Sequence, residues 1–204
     1  FFVRKMFLLL NLVTLLLLTS AFPIPSFLLK KPLKDKFYDA PSNLDSLSNG
    51  EVYDNRSVFD SIYIESILAK SEQVAYKTLD TQNQPSHSVV TVISPHHRAS
   101  KPGIYSYQAF EDSANLDCSP SYFLAKDVRG WDTDVTIAIM TMLEKGHYVI
   151  LPDHEGARSG FIAGHEEGHA GLDGIRAGIN YLGLEKDTPV AIHGYSGGAS
   201  ATVW

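Results

Sequence analysis

Near the C-terminal end of this chain, Gly194-Tyr195-Ser196-Gly197-Gly198 has the G-x-S-x-G spacing of a nucleophile elbow. A serine hydroxyl is a weak nucleophile, and enzymes that use one present it on a sharp, strained turn between a strand and a helix. The apolar run Pro189-Val190-Ala191-Ile192-His193 leads in, and Ala199 and Ser200 follow without adding bulk where a helix must pass close to the strand. The expected chemistry is attack of Ser196 on a carbonyl carbon, with the backbone N–H of Gly197 aimed at the developing oxyanion. The five residues alone would equally suit a glycine-rich turn that opens a helix. The strand before and the small residues after favour the catalytic serine.

A second pattern points to a different chemistry. His165-Glu166-Glu167-Gly168-His169 matches H-E-x-x-H, in which two histidines one helical turn apart bind zinc and the glutamate acts as base. Gly164 and Gly168 weaken the helix it needs. The extended form of the motif fails, since Leu172 stands where a glycine and Ile175 where a third histidine would be. Glu185 could supply a third ligand, but nothing marks it for that role. The plainer reading is a polar first turn whose acidic residues suit a helix N-terminus. His96-His97 reads as a solvated pair in a loop. Asp153, at the end of a strand, reads as a turn or cap carboxylate, because it precedes Ser196.

The elements that would position these residues are legible as follows. Residues 72–78 and 88–94 read as strands of an antiparallel hairpin around Thr81-Gln82-Asn83-Gln84-Pro85. A further strand is expected at 104–110, a helix at 133–143 with Ile137, Met140 and Leu143 on one side, and a short buried strand at 147–151. A helix at 167–182 carrying Leu172, Ile175, Ile179 and Leu182 precedes the last strand and the elbow. Residues 57–69 have a helical pattern. Alternating strands and helices predict an α/β fold, a mostly parallel sheet entered by an antiparallel hairpin, of the α/β-hydrolase kind. In that fold the acid and the histidine follow the serine in the chain. Both are therefore expected after Trp204, with the sequence as the N-terminal part of a longer enzyme truncated just after the elbow.

Composition bounds the function. The chain has 204 residues, 44% hydrophobic and 20% charged, with a net charge of −6. That acidity argues against nucleic acid as a partner. Arg4 and Lys5, the apolar run from Met6 to Leu18, and Thr19-Ser20-Ala21 form a secretory signal peptide over residues 1–21. The apolar run is short for a membrane span, and Pro23 and Pro25 follow at once. Residues 22–50 read as an extended or partly disordered lead-in, and 51–204 as the incomplete hydrolase domain. The single cysteine, Cys118, implies in a secreted chain either a partner outside the sequence or a reactive thiol. Asn55-Arg56-Ser57 is a glycosylation sequon.

Five stretches taken in order carry a family resemblance. They are Tyr105-Ser106-Tyr107-Gln108-Ala109-Phe110-Glu111-Asp112-Ser113, Asp117-Cys118-Ser119-Pro120-Ser121-Tyr122, Leu151-Pro152-Asp153-His154-Glu155-Gly156, Gly171-Leu172-Asp173-Gly174-Ile175-Arg176-Ala177, and the elbow. Over roughly residues 41–204 the chain resembles the fungal secretory lipases of the kind found in Candida species. The resemblance implies a secreted, cofactor-free triacylglycerol lipase acting on lipid esters at a lipid–water interface. It implies Ser196 as nucleophile, Gly197 as backbone oxyanion donor, Asp112 as second oxyanion contributor, and a disulfide from Cys118 to a cysteine outside the chain. The competing expectations are a zinc metallopeptidase using His165 and His169, and a catalytically silent secreted binding protein of the same fold.

Overall fold

The computed structural model describes residues 28–58, 69–126 and 133–204. The signal-peptide reading of residues 1–21 and most of the helical pattern expected over 57–69 lie outside them. Six strands and four helices are described: β1 (Val52–Ser57), β2 (Ala69–Leu79), β3 (Pro85–Pro95), β4 (Ile104–Gln108), α1 (Pro120–Lys126), α2 (Thr133–Glu144), β5 (Tyr148–Pro152), α3 (Gly164–Leu182), β6 (Val190–Gly194) and α4 (Gly197–Val203).

The hairpin is made by its turn as much as by its β-branched strands. The Asp80 carboxylate accepts the N–H groups of Gln82 and Gln84 at 2.8 and 2.9 Å. Asn83 takes a left-handed φ of 58° there, a conformation asparagine tolerates. From this hairpin the sheet grows in the order β1-β2-β3-β5-β4-β6. The pairs from β1 through β3 to β5 are antiparallel, and parallel pairing is confined to β5-β4-β6. The sheet is thus mixed, with its parallel part where the elbow sits.

Alternate residues of β5 serve two cores. Val149 and Leu151 pack with Ile139 and Leu143 of α2 on one face. Tyr148 and Ile150 pack with Ile175 and Ala177 of α3 on the other. The helices differ from the sequence expectation in which residues they bury. Leu172 is 46% exposed and Ile137 56% exposed. α3 instead lays Gly171, Gly174 and Gly178 on the sheet, and a Cβ on Gly174 would stand 3.0 Å from both Pro152 Cβ and the Tyr76 hydroxyl. The helix rides closest at these glycines, while the expected Ile175, Ile179 and Leu182 pack against the same core beside them. It also begins at Gly164, before the expected start.

Three further differences have local causes. β1 was not anticipated, and it runs through residue 57, where a helical pattern had been read. β4 ends at Gln108 rather than 110, because the Ala109 carbonyl leaves the ladder to meet His154 at 2.8 Å. The expected extended lead-in is, over residues 28–50, a series of 3-10 turns packed on the sheet. Phe37 buries against Ala75 and Val89. The Arg56 guanidinium lies 4.1 Å over the Phe37 ring and pairs with Asp35 at 2.7 Å.

No helix among the described residues is long and apolar enough to cross a membrane. β6 pairs along one side with β4, and its Val190 and Ile192 are 37% and 40% exposed. An apolar strand with one open edge is a template for further pairing. Residues 28–204 expressed alone are therefore expected to self-associate. Ile192→Lys should lower the weight-average mass measured by sedimentation, and an unchanged mass would locate the association elsewhere.

Candidate active site

The elbow is set by where backbone meets backbone. Ser196 has φ 54° and ψ −122°, a conformation non-glycine residues avoid and one that stores strain at functional positions. Steric walls around it leave no room for relaxation. A Cβ on Gly198 would lie far inside contact distance of the Gln108 carbonyl oxygen, and one on Gly194 would collide with the Gly198 carbonyl. The turn closes with Gly198 N–H donating to Tyr195 O at 3.0 Å and Ala199 N–H to Ser196 O at 2.9 Å. Ser196 stands exposed while Gly197 and Gly198 are buried beneath it. Gly197 opens α4, where an N–H has no partner within its own helix.

Asp112 comes to the same place from the loop after β4. Its Oδ1 would stand 2.6 Å from a Cβ on Gly197. Ser196, Gly197 and Asp112 are thus brought together by β6, α4 and the β4 loop. An apolar cavity of about 260 Å³ lined by Ala109, Phe110, Pro120 and Phe123 opens beside Asp112. Among the described residues no histidine is hydrogen-bonded to Ser196. His193 meets the Tyr105 hydroxyl at 2.6 Å through Nδ1.

The loop is supported from below by the three residues that follow β5. Asp153 accepts the Ser121 N–H and hydroxyl at 2.7 and 2.5 Å, which caps the first turn of α1. Burial pushes its carboxyl up to about 7, against the opposing pull of the Ser121 bonds. His154 Nε2 meets the Ala109 carbonyl, so that nitrogen carries the hydrogen and donates. Burial lowers its pKa, and its buried Nδ1 has no partner among the described residues. Glu155 is buried with both carboxyl oxygens unpartnered, and burial followed by the facing Glu167 pushes it up to about 8. Glu111 is buried beside Ser159, 3.2 Å away, and burial pushes it up to about 9. Asp153 fills the cap role expected of it. No individual role was expected of Glu111, His154 or Glu155, and for the last two the run of polar residues closing an apolar strand is the one signal in the sequence.

The H-E-x-x-H segment does lie on a helix, but it is turned the wrong way for zinc. His165 is exposed and packs edge-on to Trp204, ring centroids 5.3 Å apart. His169 Nε2 meets the Asn83 side chain at 3.1 Å. Glu166 and Glu167 are the buried members. Cys118 is free and exposed in a 3-10 turn, and Asn55 is exposed on β1.

Against this geometry the comparisons are specific. Residues 126–204 match the secretory lipase family model. Lipase A of Moesziomyces aphidis is 45% identical over 184 residues, spanning 86% of this chain and 39% of that protein. Lipase 1 of Candida albicans is 40% identical over 185 residues, again 86% of this chain and 39% of the relative. The chain is similar to the secretory lipases, whose family model it matches over residues 126–204. It spans about two fifths of the length of the curated relatives it matches. The X-ray structure of Candida antarctica lipase A superposes with a TM-score of 0.79 at 45% identity, over 86% of this chain and 42% of that one. A rice cell wall degrading esterase from Xanthomonas oryzae shares the fold alone, with a TM-score of 0.57 at 16% identity over 76% of this chain and 44% of that one. The α/β-hydrolase expectation therefore holds.

Two outcomes follow for the whole protein. Gly198→Ala drives a methyl into the Gln108 carbonyl, so it should destabilise the fold by about 2 kcal/mol or more in denaturant unfolding. A change below about 0.5 kcal/mol would mean the elbow does not lie on β4 this way. Glu111 titrates higher in the fold than in the unfolded chain, so its contribution is whole below about pH 4.3 and is lost as pH rises to about 9. Glu111→Gln should flatten the fall of thermal midpoint between these limits, and an unaltered slope would show that Glu111 is already ionised.

Proposed function

We propose that the secretory lipase bearing this chain hydrolyses carboxylic esters of fatty acids, triacylglycerols among them, through an acyl-enzyme on Ser196. The observation that carries the reading is the strained, exposed Ser196 set directly above Gly197 and Asp112. Ser196 Oγ attacks the ester carbonyl while a histidine supplied from outside the described residues takes its proton, oriented by a carboxylate. The carbonyl oxygen gains the negative charge. The Gly197 N–H and the Asp112 loop meet it there. Collapse breaks the bond to the alcohol oxygen, which leaves with the proton. Water then repeats the sequence on the acyl-enzyme, freeing the fatty acid and restoring the serine. No cofactor enters.

The family assignment supports the substrate class. A relative from Malassezia globosa, 37% identical over 179 residues, is a secreted triacylglycerol lipase. The same reading places this protein outside the cell after removal of residues 1–21, acting at a lipid–water interface. It joins Cys118 to a cysteine outside the chain and offers exposed Asn55 to a glycan. The separate engagements of His165 and His169 speak against the metallopeptidase alternative.

In the whole enzyme, Ser196→Ala should lower kcat for fatty-acid esters by at least about 10⁴-fold. It should also end labelling by a serine-directed phosphonate. Activity should survive a zinc chelator. Hydrolysis by the alanine variant, or loss on chelation with return on zinc, would overturn the assignment.

A further inference from the structure

His154 is a buried imidazole that the reaction above leaves without a part. It is 0% exposed, so it touches no substrate. Its root is fixed by the residue before it. The Asp153 N–H donates to the Val89 carbonyl at 2.8 Å, and the Asp153 carbonyl accepts the Ser88 hydroxyl at 2.7 Å and the Gly156 N–H at 3.1 Å. From that anchored end of β5 the ring reaches to the end of β4, where Nε2 lies 2.8 Å from the Ala109 carbonyl. A carbonyl only accepts, so Nε2 carries the hydrogen. Burial lowers the pKa of the ring and favours its neutral form, in which Nδ1 is an acceptor. Nδ1 is buried without a partner among the described residues. The bond to Ala109 therefore sets both the tautomer and the orientation of the ring.

The carbonyl it holds lies at a junction. β4 keeps register with β6 up to the pair Gln108 and Gly194, and Ala109 is the first residue beyond. The Gln108 and Ala109 carbonyls both lie against Gly198. A Cβ on Gly198 would collide with the first and stand 2.8 Å from the second. Further along, the Glu111 carbonyl and the Asp112 carboxyl crowd Gly197, at 2.7 and 2.6 Å from where its Cβ would be. Residues 109–112 thus wrap the start of α4, with the two ends of the wrap on consecutive glycines. Among the described residues, side chains hold this loop by hydrogen bonds at two points. His154 donates to the Ala109 carbonyl at 2.8 Å, and the Ser159 hydroxyl donates to Glu111 Oε1 at 3.2 Å. The first is the shorter and acts on the main chain itself. A displacement of Ala109 carries the Asp112 loop with it and moves the wall on which Gly198 rests.

We propose that His154 is a positioning residue for the oxyanion site: its Nε2–H, by holding the Ala109 carbonyl, fixes the separation between the Asp112 loop and the Gly197 N–H. The proposal rests on the reading of Ser196 as nucleophile with Gly197 and Asp112 beside it. Both oxyanion contributors refer to one junction, Asp112 through the loop that Ala109 begins and Gly197 through the helix that Ala109 touches. An imidazole suits the place because it is a short, flat donor turned by only two torsions, so its reach is well defined. Bonds to the oxyanion strengthen as the ester carbonyl becomes tetrahedral, so their spacing acts on the transition state more than on the bound ester. Loss of the strut therefore lowers kcat and leaves KM. A residue that served folding alone would change the amount of folded enzyme, not the turnover of each folded molecule.

The test uses the whole enzyme, a soluble p-nitrophenyl ester and a serine-directed phosphonate. The amide nitrogen of glutamine reaches about as far from the backbone as histidine Nε2, and that of asparagine only as far as Nδ1. His154→Asn and His154→Phe, which put no donor at the Nε2 position, should each lower kcat by about tenfold or more with KM within about twofold. Phosphonate labelling of Ser196 should slow by the same factor. His154→Gln should bring both rates back to within about threefold of wild type. A fourth variant keeps every side chain: phenyllactate in place of Phe110 turns the Ala109 carbonyl into that of an ester, a weaker acceptor, and should lower kcat by about threefold at constant KM. Wild-type kcat in a folded His154→Asn or His154→Phe, a change confined to KM, or a His154→Gln no better than His154→Asn overturns the proposal. If the side-chain variants fail to fold, the phenyllactate variant decides alone, and wild-type kcat there overturns it. Failure of the phosphonate to label wild type at Ser196 instead overturns the reading on which the proposal rests, so the two failures are distinguishable.

Discussion

The contact on which the rest depends is that of two backbones, the start of α4 lying on the end of β4. Gly198 meets the Gln108 carbonyl so closely that no side chain fits between them, and Gly194 meets Gly198 in the same way. Once a helix must begin that near to a strand, the intervening residue has no relaxed conformation left. Ser196 takes φ 54° as a consequence. The strain is thus a product of close packing, and it persists because the packing over-determines it. The same approach brings Gly197 beside the loop that leaves β4, which is why Asp112 is a neighbour at all. Reactivity and fold are one constraint here, and a side chain anywhere in the contact would dissolve both.

This explains what was legible in the sequence and what was not. Glycines at 194, 197 and 198 are a direct record of backbone proximity, so the elbow could be read from one segment. The strands β2, β3, β5 and β6 follow from β-branched and apolar runs, which record burial on both faces in β2, β3 and β5, while the same kind of run in β6 is exposed. α3 misled because its record is of the opposite kind. Of the large apolar residues at helical spacing, Ile175, Ile179 and Leu182 do pack on the core, but the helix lies so near the sheet at Gly171 and Gly174 that Leu172 is left exposed. The H-E-x-x-H segment misled for a related reason. The spacing of two histidines says they share a side of a helix, but not which side. The helix turned its glutamates inward, where hydroxyls from α4 and the hairpin turn meet them. β1 and the turns of residues 28–50 carry few apolar residues. Their order comes from single anchors such as Phe37 under Arg56, which no periodicity reveals.

Buried carboxyls beneath a nucleophile look like an expensive arrangement. Each would cost several kcal/mol if ionised without a partner. Burial instead raises the pKa values of Glu111 and Glu167, and a protonated carboxyl is a compact group that both donates and accepts. It can therefore bridge elements that offer only hydroxyls and backbone groups. Ser200 and Ser159 are such groups, and each stands at hydrogen-bond distance from one of these two carboxyls. An ion pair could serve the same end, but a lysine or arginine here would bring a long flexible side chain and a fixed positive charge close to Ser196. Carboxyls bonded to hydroxyls hold the parts together without that charge.

The strand that distributes this support is β5, although it contributes nothing to the reacting surface. Its end divides three ways in three consecutive residues. Asp153 caps α1, His154 donates to the Ala109 carbonyl where β4 gives way to the loop that carries Asp112, and Glu155 is buried behind them. α1 carries Pro120 and Phe123, which line the apolar cavity beside Asp112. The cavity wall and the Asp112 loop thus hang from one central strand, each by a single polar side chain. β5 lies between β3 and β4 and is buried on both faces, so its end is among the least mobile points in the sheet. A site assembled from three separate segments acquires common geometry by referring all three to one rigid origin. That is why the polar run Asp153-His154-Glu155 shapes the surroundings of Ser196 as fully as the elbow does, though it lies beneath them.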